Sequence, residues 1–333
     1  MAPRTIARVT SRALPVLAAS ALLAGCGSSS GGKTVALVAY STPQAAYAAL
    51  IPAFQATAAG KGISFTQSYG ASGDQSRAVL AGQPANVVNF SLTSDMTKLV
   101  SPGIVSPSWD AGPTHGFVTN SVVVFIVRKG NPKHITNWDD LVQPGVKVIT
   151  PNPLSSGSAR WNIMAAYGAQ LHEGKTPSQA DAYLAALLKN TVAQPTSARD
   201  ALQTFLSGEG DVLLDYESEA IPDEKKGDAI SYVIPASTIL IQNPIAVVTR
   251  GGTNPNAQAF VNYLLSPAGQ TIWAQQGYRP VIPSLVNPKV FPTPADLFTI
   301  ASLGGWTAVT KEFFGTPNGV VTKIEQGQGV SAG

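Results

Sequence analysis

The sequence predicts an α/β fold in which buried, largely parallel strands alternate with amphipathic helices. Apolar runs such as 34–40 and 121–128 have the length of buried strands, and segments with apolar residues at three- and four-residue spacing follow them. Such alternation indicates β-loop-α units. With 333 residues, 44% hydrophobic and 12% charged, the chain is long enough to form two packed domains.

The N-terminus has the segment order of an export signal. A basic stretch precedes the apolar residues 13–25, which are too few to span a bilayer. Cys26, the single cysteine of the chain, ends the run Leu23-Ala-Gly-Cys26, which resembles a bacterial lipobox. The resemblance implies that 1–25 is a lipoprotein signal peptide, that Cys26 is lipidated, and that 26–33 is a flexible tether. The alternative is a soluble secreted protein with an incidental cysteine.

Apolar spacing and turn residues predict the other elements in chain order. Further strands are expected at 63–67, 85–92, 146–150, 211–215 and 239–249. Helices are expected at 45–59, 95–100, 178–189 and 257–277, and around Val309 and Phe313 near the end. No repeat of fixed period is present, and the low-complexity residues lie in the predicted tether.

Three strand-loop-helix junctions carry serine at the start of a helix. Ser72 with Gln75, and Ser197 with Asp200, have the spacing of capping boxes. The third junction, Ser156-Gly157-Ser158, follows two prolines and supplies a serine cap together with a glycine that lets a ligand approach the backbone.

Each of these helix starts presents N–H groups that have no partner within the helix, and together these groups carry a partial positive charge. Ligands of open α/β sheets bind at the carboxyl ends of the strands, where these junctions lie. If the three junctions meet, neutral donors can hold an anion. Capping without any ligand is the alternative for each junction taken alone.

Other functions have little support in the sequence. The net charge of +3 comes from scattered residues, so no nucleic-acid-binding surface is expected. There is no nucleophile elbow, P-loop or full dinucleotide fingerprint, and neither a metal nor a cofactor is predicted. Asp139-Asp140 is interpreted as a helix cap and 215–219 as a solvated strand end. The histidines, interpreted as surface or loop residues, are His115, His134 and His172.

Arg160 and Arg199 each follow an alanine in the first turn of a predicted helix. Either arginine could bind an anion directly. The preferred interpretation is that both support the site from behind through ion pairs.

Several motifs resemble the periplasmic sulfate-binding proteins of sulfate ABC transporters, from about Thr34 to Lys323. The matching motifs are Arg128-Lys-Gly-Asn-Pro-Lys133, Trp138-Asp-Asp-Leu141, Pro144-Gly-Val-Lys-Val-Ile-Thr-Pro-Asn-Pro153, Ser156-Gly157, Ala159-Arg-Trp-Asn162, Tyr278-Arg-Pro280 and Gly304-Gly-Trp306. The resemblance implies a type II, two-lobed periplasmic-binding-protein-like fold. One lobe would comprise 33–117 plus 248–333 and the other 118–247, with strands near 122–127 and 241–248 as the hinge.

The resemblance also implies a set of sulfate ligands. Backbone N–H donors would come from Ser41, Ser72, Gly157, Ser158 and Ala198, and Ser156 would donate its hydroxyl. Tyr216 stands at the position of the family's tryptophan, whose indole N–H only donates, whereas a phenol can donate or accept. Asp74 stands where the family has lysine.

The expected function is therefore that of a lipid-anchored, exported, monomeric binding protein that delivers sulfate to the permease and ATPase subunits of an importer. It would not be an enzyme. Alternatives are a binder of thiosulfate or molybdate, a secreted serine hydrolase using Ser72 or Ser156, and an adhesin without a ligand.

Overall fold

The computed structural model describes residues 33–330, so the predicted signal peptide and Cys26 lie outside the described residues. The strands in this range are β1 Thr34–Tyr40, β2 Ser64–Gly70, β3 Val87–Asn89, β4 Phe117–Arg128, β5 Val148–Ile149, β6 Thr191–Ala193, β7 Val212–Tyr216, β8 Ile230–Val233, β9 Ser237–Val247 and β10 Asp296–Phe298. The α-helices are α1 Gln44–Gln55, α2 Ser72–Leu80, α3 Thr93–Val100, α4 Gly157–His172, α5 Pro177–Lys189, α6 Ala198–Leu206, α7 Glu217–Lys226, α8 Pro255–Leu265, α9 Pro267–Gln275, α10 Gly305–Phe314 and α11 Val320–Gly327.

The strands form one mixed sheet in the order β2-β1-β3-β9-β4-β7-β5-β6, with β10 paired to β9 and β8 to β4. The pairs at the two ends of this order are parallel, as the alternation of strands and helices predicts. The pairs in the middle are antiparallel, because β4 and β9 run against each other and against β7 and β3 respectively. The two long strands β4 and β9 therefore join the two parallel groups, through pairs such as Ser121 with Ile241.

Both faces of the sheet are covered, which is why the strands are apolar without alternation. In β4, Val123 and Phe125 pack into the core beside α4 and α5, whereas Val124 and Ile126 pack against α6. In β1, Leu37 packs toward α1, α8 and α9. Layers of this kind leave the carboxyl ends of the strands as the places where loops and helix starts gather.

The predicted helix at 257–277 is wrong in one respect, since the structure has two helices there. The hydroxyl of Ser266 accepts a hydrogen bond from the N–H of Gly269 at 3.3 Å, and Pro267 occupies the first helical position of α9. A proline at that position has no N–H to continue α8, so the helix stops and restarts.

Asp140 caps a short 3₁₀ helix, Trp138–Val142, as the sequence predicts. Its Oδ2 accepts from the backbone N–H of Asn137 at 3.0 Å, and the Asn137 side chain accepts in return from the N–H of Asp140 at 3.2 Å. The reciprocal bonds complete a capping box.

Candidate functional site

The starts of α2 and α4 lie against each other. A Cβ atom added to Gly73, the second residue of α2, would lie 2.9 Å from the carbonyl oxygen of Ser155 in the loop before α4. A Cβ atom added to Gly157, the first residue of α4, would lie 2.7 Å from both Cβ and Oγ of Ser91. The structure therefore brings Ser72, Ser156, Gly157 and Ser158 together, packed around Ser91 just after β3.

The start of α6 also lies near the start of α2. A cavity of ≈ 300 Å³ has Ser41, Ala71 and Ser197 among its lining residues, so it touches the loop after β1 and the starts of α2 and α6. Nη2 of Arg199 donates to the carbonyl oxygen of Thr42 at 3.3 Å, which ties α6 to the Ser41 loop. Ala198 is buried beside this cavity without lining it.

Each of these three helices begins with at least two backbone N–H groups that have no hydrogen-bond acceptor among residues 33–330. The first amides of a helix have no carbonyl four residues before them, so they are left unpaired unless a cap or a ligand accepts from them. They carry the positive end of the helix dipole. The residues are Ser72 and Gly73 in α2, Gly157 and Ser158 in α4, and Ala198 and Arg199 in α6.

Two of the three predicted caps are confirmed. Oγ of Ser156 accepts from the N–H of Ala159 at 3.4 Å, and Oγ of Ser197 accepts from the N–H of Asp200 at 3.3 Å. In each helix the N–H of the third residue donates to the capping hydroxyl, and the N–H groups of the first two residues remain unpaired.

The capping box predicted for Ser72 and Gln75 is wrong. Ala71 occupies the cap position and Ser72 is the first helical residue, so its hydroxyl does not cap the turn. Instead, Oγ of Ser72 donates to Oδ2 of Asp95 at 2.7 Å and accepts from the N–H of Ser91 at 3.0 Å. The buried Asp95 carboxylate requires donors, and Ser72 is one of them.

Tyr216 ends β7 and precedes α7, and its side chain is fully buried. Its hydroxyl lies 2.8 Å from Oγ of Ser91, and either atom can be the donor. Burial raises the pKa of Tyr216, while hydrogen bonds from Ser91, Ser158 and Asn243 lower it in part. The phenol is therefore neutral at physiological pH and keeps its proton for hydrogen bonding.

Sequence reasoning missed Ser91, which contacts both Ser72 and Tyr216 and lies against Gly157. Its carbonyl oxygen accepts from the indole N–H of Trp161 at 2.9 Å and from Nδ2 of Asn243 at 3.3 Å. No motif marks it. The one available signal was its position at the carboxyl end of a predicted strand, where ligands of α/β sheets gather.

The two arginines behave differently. Nη2 of Arg199 lies 3.2 Å from Oε1 of Glu219, so the predicted ion pair is confirmed there. Arg160 makes no ion pair with a carboxylate in the described part of the chain. Its Nε donates to the carbonyl oxygen of Pro153 at 2.9 Å, and its guanidinium lies 4.8 Å from the ring centre of Phe314, because the loop and α10 surround it.

The interpretation of 215–219 as a solvated strand end is wrong, since its three carboxylates are buried. Oδ1 of Asp215 accepts from the N–H of Tyr216, and the two glutamates pair with arginines of other segments. Glu217 holds Arg279 through two contacts, of 2.6 and 3.0 Å, and Glu219 pairs with Arg199. Burial raises the pKa of Glu219 to about 7, against the opposing effect of Arg199.

Asp74, where the resemblance expects lysine, lines the cavity next to Ser41 and forms an ion pair with Arg77 one turn later in α2. Both side chains are largely exposed. The pairing offsets the carboxylate's charge at the edge of the site.

The described residues offer no arrangement for hydrolysis or metal binding. The hydroxyl partners of Ser72 and Ser156 are a carboxylate and backbone amides, without a histidine. Within residues 33–330 no group of three or more His, Cys, Asp or Glu side chains is placed to hold a metal. The helices described there are also too short or too polar to cross a membrane.

A family model described as bacterial extracellular solute-binding protein matches residues 35–279. The chain belongs to this family. Its members are binding components of transporters and not enzymes, and they act outside the cytoplasm, so the predictions of an exported, non-catalytic protein are confirmed.

Individual members of the family are similar along most of their length. The sulfate-binding protein of Synechococcus elongatus is 41% identical over 91% of this chain and 92% of its own, and that of Escherichia coli K12 is 39% identical over 77% and 81%. The solved structure of the sulfate-binding protein SubI from Mycobacterium tuberculosis H37Rv is 45% identical, with a TM-score of 0.82 over 85% of this chain and 99% of that one. This likeness confirms the periplasmic-binding-protein fold.

Proposed function

We propose that this protein binds sulfate where the starts of α2, α4 and α6 meet, and delivers it to an ABC importer. The named ligands are those expected from the sequence: Ser41, Ser72, Ser156, Gly157, Ser158, Ala198 and Tyr216. Relatives at 39–41% identity that are named sulfate-binding proteins support the ligand.

The observation that carries this proposal is the set of unpaired N–H groups, at least two at each of three helix starts. Each helix start favours a negative charge by its dipole and by its free donors. A dianion with four acceptor oxygens matches such a set, because sulfate has lone pairs in every direction and no proton near neutral pH.

The nearby cationic side chains are engaged elsewhere, which favours binding by neutral donors. Arg199 is occupied by Glu219 and by the carbonyl of Thr42, and Arg160 by the carbonyl of Pro153. Both arginines lie in the first turn of a helix whose amides would face the anion, so they support the site without forming a salt bridge to it.

The ligands come from both predicted lobes. Ser41 and Ser72 belong to the lobe formed by 33–117 plus 248–333, and the others belong to 118–247. An anion that contacts ligands of both lobes binds the closed arrangement more tightly than the open one, and therefore stabilises the closed arrangement. The closed monomer would then dock on a permease, whose ATPase partner supplies the energy.

Cys26 would anchor the protein to the outer face of the cytoplasmic membrane through its lipid. The lipobox-like sequence before it supports this proposal. Expression of the full chain with radiolabelled palmitate, beside Cys26→Ala, tests it. The wild type should be labelled and pellet with membranes, and the variant should not. Equal labelling of the two proteins would contradict lipidation at this residue.

Isothermal titration calorimetry of the mature protein with sulfate tests the function directly. One sulfate per chain should bind, and a competition panel of sulfate, thiosulfate, molybdate and phosphate should rank sulfate first. Thiosulfate or molybdate ahead of sulfate would assign the site to that anion instead. An absence of heat, together with an unchanged melting temperature in sulfate, would remove the proposal.

A further inference from the structure

The hydroxyls of Ser91 and Tyr216 form a pair in which the direction of the hydrogen bond is not fixed. They are 2.8 Å apart, and both side chains are fully buried. Each hydroxyl has one proton and two lone pairs, so either can donate to the other. One hydrogen bond uses one of the two protons, and the other remains available to a neighbour.

The pair lies directly against the start of α4. The position of Gly157 leaves no room for a Cβ atom beside Ser91, since 2.7 Å would separate them. The phenol of Tyr216 lies 2.8 Å from Oγ of Ser91, so it is one hydrogen bond away from this position. An anion that accepts from the N–H groups of Gly157 and Ser158 therefore has this pair as its neighbour.

Backbone N–H groups can donate but cannot accept, which limits what a site made from them can hold. Sulfate and monohydrogen phosphate are both tetrahedral dianions, so helix dipoles attract them equally. They differ by one O–H group, which needs an acceptor in a buried site. Where none exists, the unsatisfied group lowers affinity by roughly ten- to a hundredfold.

The pair can supply the acceptor by reversing its direction. With sulfate, Ser91 donates to Tyr216 and Tyr216 donates to a sulfate oxygen. With a protonated anion, the ligand O–H donates to the Tyr216 oxygen, Tyr216 donates to Ser91, and the Ser91 proton turns to a ligand oxygen. In both arrangements every proton has an acceptor, and no heavy atom has to move.

We infer that Ser91 and Tyr216 determine specificity by admitting singly protonated tetrahedral dianions, such as monohydrogen phosphate and monohydrogen arsenate, alongside sulfate. The inference rests on the proposed sulfate site. It assigns Ser91 a role in selectivity, because Ser91 lies 2.8 Å from the phenol and can accept from Tyr216 when Tyr216 accepts from the ligand.

Ser91→Ala separates the two arrangements. Without the Ser91 hydroxyl, Tyr216 can still donate to sulfate, but its proton loses the acceptor 2.8 Å away when it accepts from phosphate. Titration at pH 8 should therefore show sulfate affinity changed by less than about threefold and phosphate affinity lowered by roughly tenfold or more. Ser76→Ala is the matched control, since Ser76 is equally buried and its hydroxyl donates to the backbone carbonyl of Asp95, away from the pair.

Tyr216→Trp provides a second variant with a donor that cannot accept. It should lower phosphate affinity more than sulfate affinity, and circular dichroism and melting temperature show whether it folds. Wild-type protein that binds sulfate but no phosphate at millimolar concentration would overturn the inference. So would an unchanged ratio of sulfate to phosphate affinity in Ser91→Ala. Wild type that binds neither anion would instead overturn the proposed function.

Discussion

Oγ of Ser72 donates a hydrogen bond to Oδ2 of Asp95 across 2.7 Å, and both side chains are buried. The other carboxylate oxygen of Asp95 lies 2.9 Å from Nζ of Lys98. The carboxylate is thereby satisfied from both sides. Ser72 is fixed in place at the first position of α2, with its backbone N–H left free.

Replacing Ser72 by alanine should reduce stability more than an ordinary serine substitution. The change leaves Oδ2 of Asp95 and the N–H of Ser91 without their partner, which costs about 1–3 kcal/mol. Urea unfolding measures it. Ser68→Ala, which breaks the half-buried 3.0 Å contact with Gln75, is the control and should cost less. Equal losses for the two variants would contradict the role given to the Asp95 contact.

Ser156→Ala should weaken sulfate binding by about tenfold or more, because a hydrogen bond to a charged group is lost. The protein should remain folded, with a loss of about 1 kcal/mol from the missing cap of α4. Calorimetry and thermal unfolding measure the two effects.

Ser197→Ala is matched to Ser156→Ala because Ser197 caps α6 in the same way, while its hydroxyl is already engaged by Asp200 at 2.7 Å. We expect a similar loss of stability and a smaller loss of sulfate affinity. If the two variants bind sulfate equally well, Ser156 is not a hydroxyl donor to the ligand.

Gly157→Ala should impair both packing and binding. Its Cβ would lie 2.7 Å from Ser91, so the start of α4 must shift, at a cost of about 1–3 kcal/mol. Sulfate affinity should fall with the displaced N–H groups. Gly327→Ala in α11 has open space around the new atom and serves as the control. A Gly157→Ala protein with unchanged sulfate affinity would place the anion elsewhere.

Glu219 should make stability depend on pH. Burial raises its pKa from 4.5 to about 7, so the folded state binds the proton more tightly than the unfolded state does. The stabilising contribution is complete below pH 4.5 and is lost as the pH rises through 7. Among the charged groups around Glu219, Arg199 and Lys226 lower its pKa and Asp223 raises it. Glu219 in turn raises the pKa of the buried Asp215.

Urea unfolding of the wild type and Glu219→Gln at pH 5, 6, 7 and 8 measures this contribution. The free energy of unfolding of the wild type, minus that of the variant, should decrease over this series. Glu224→Gln, an exposed change on the same helix, should leave the difference flat. A flat series for Glu219→Gln would show that its carboxyl group titrates normally.

Local signals predicted those parts of the site that depend on neighbours in sequence. Ser156 and Ser197 are caps in the structure because a cap needs only the residue three positions later. The apolar strands and most helices follow from periodicity for the same reason.

Predictions failed where a partner lies far along the chain. Ser72 is not a cap because it is the first helical residue, and its hydroxyl donates to Asp95, 23 residues away, and accepts from the N–H of Ser91. The carboxylates of Glu217 and Glu219 looked solvated because Arg279 and Arg199, which neutralise them, are remote in sequence. Ser91 carries no local pattern at all, since its importance comes from four contacts brought together by folding.

The contact between Gly73 and Ser155 has a kinetic consequence. A Cβ atom added to Gly73 would lie only 2.9 Å from the carbonyl oxygen of Ser155, so the two backbone segments are closely packed at this point. If sulfate binds behind this contact, as proposed, its exchange would require α2 and the loop before α4 to separate. The dissociation rate of the ligand then reports the opening rate of the protein itself, and anions of different affinity should dissociate with a shared upper limit.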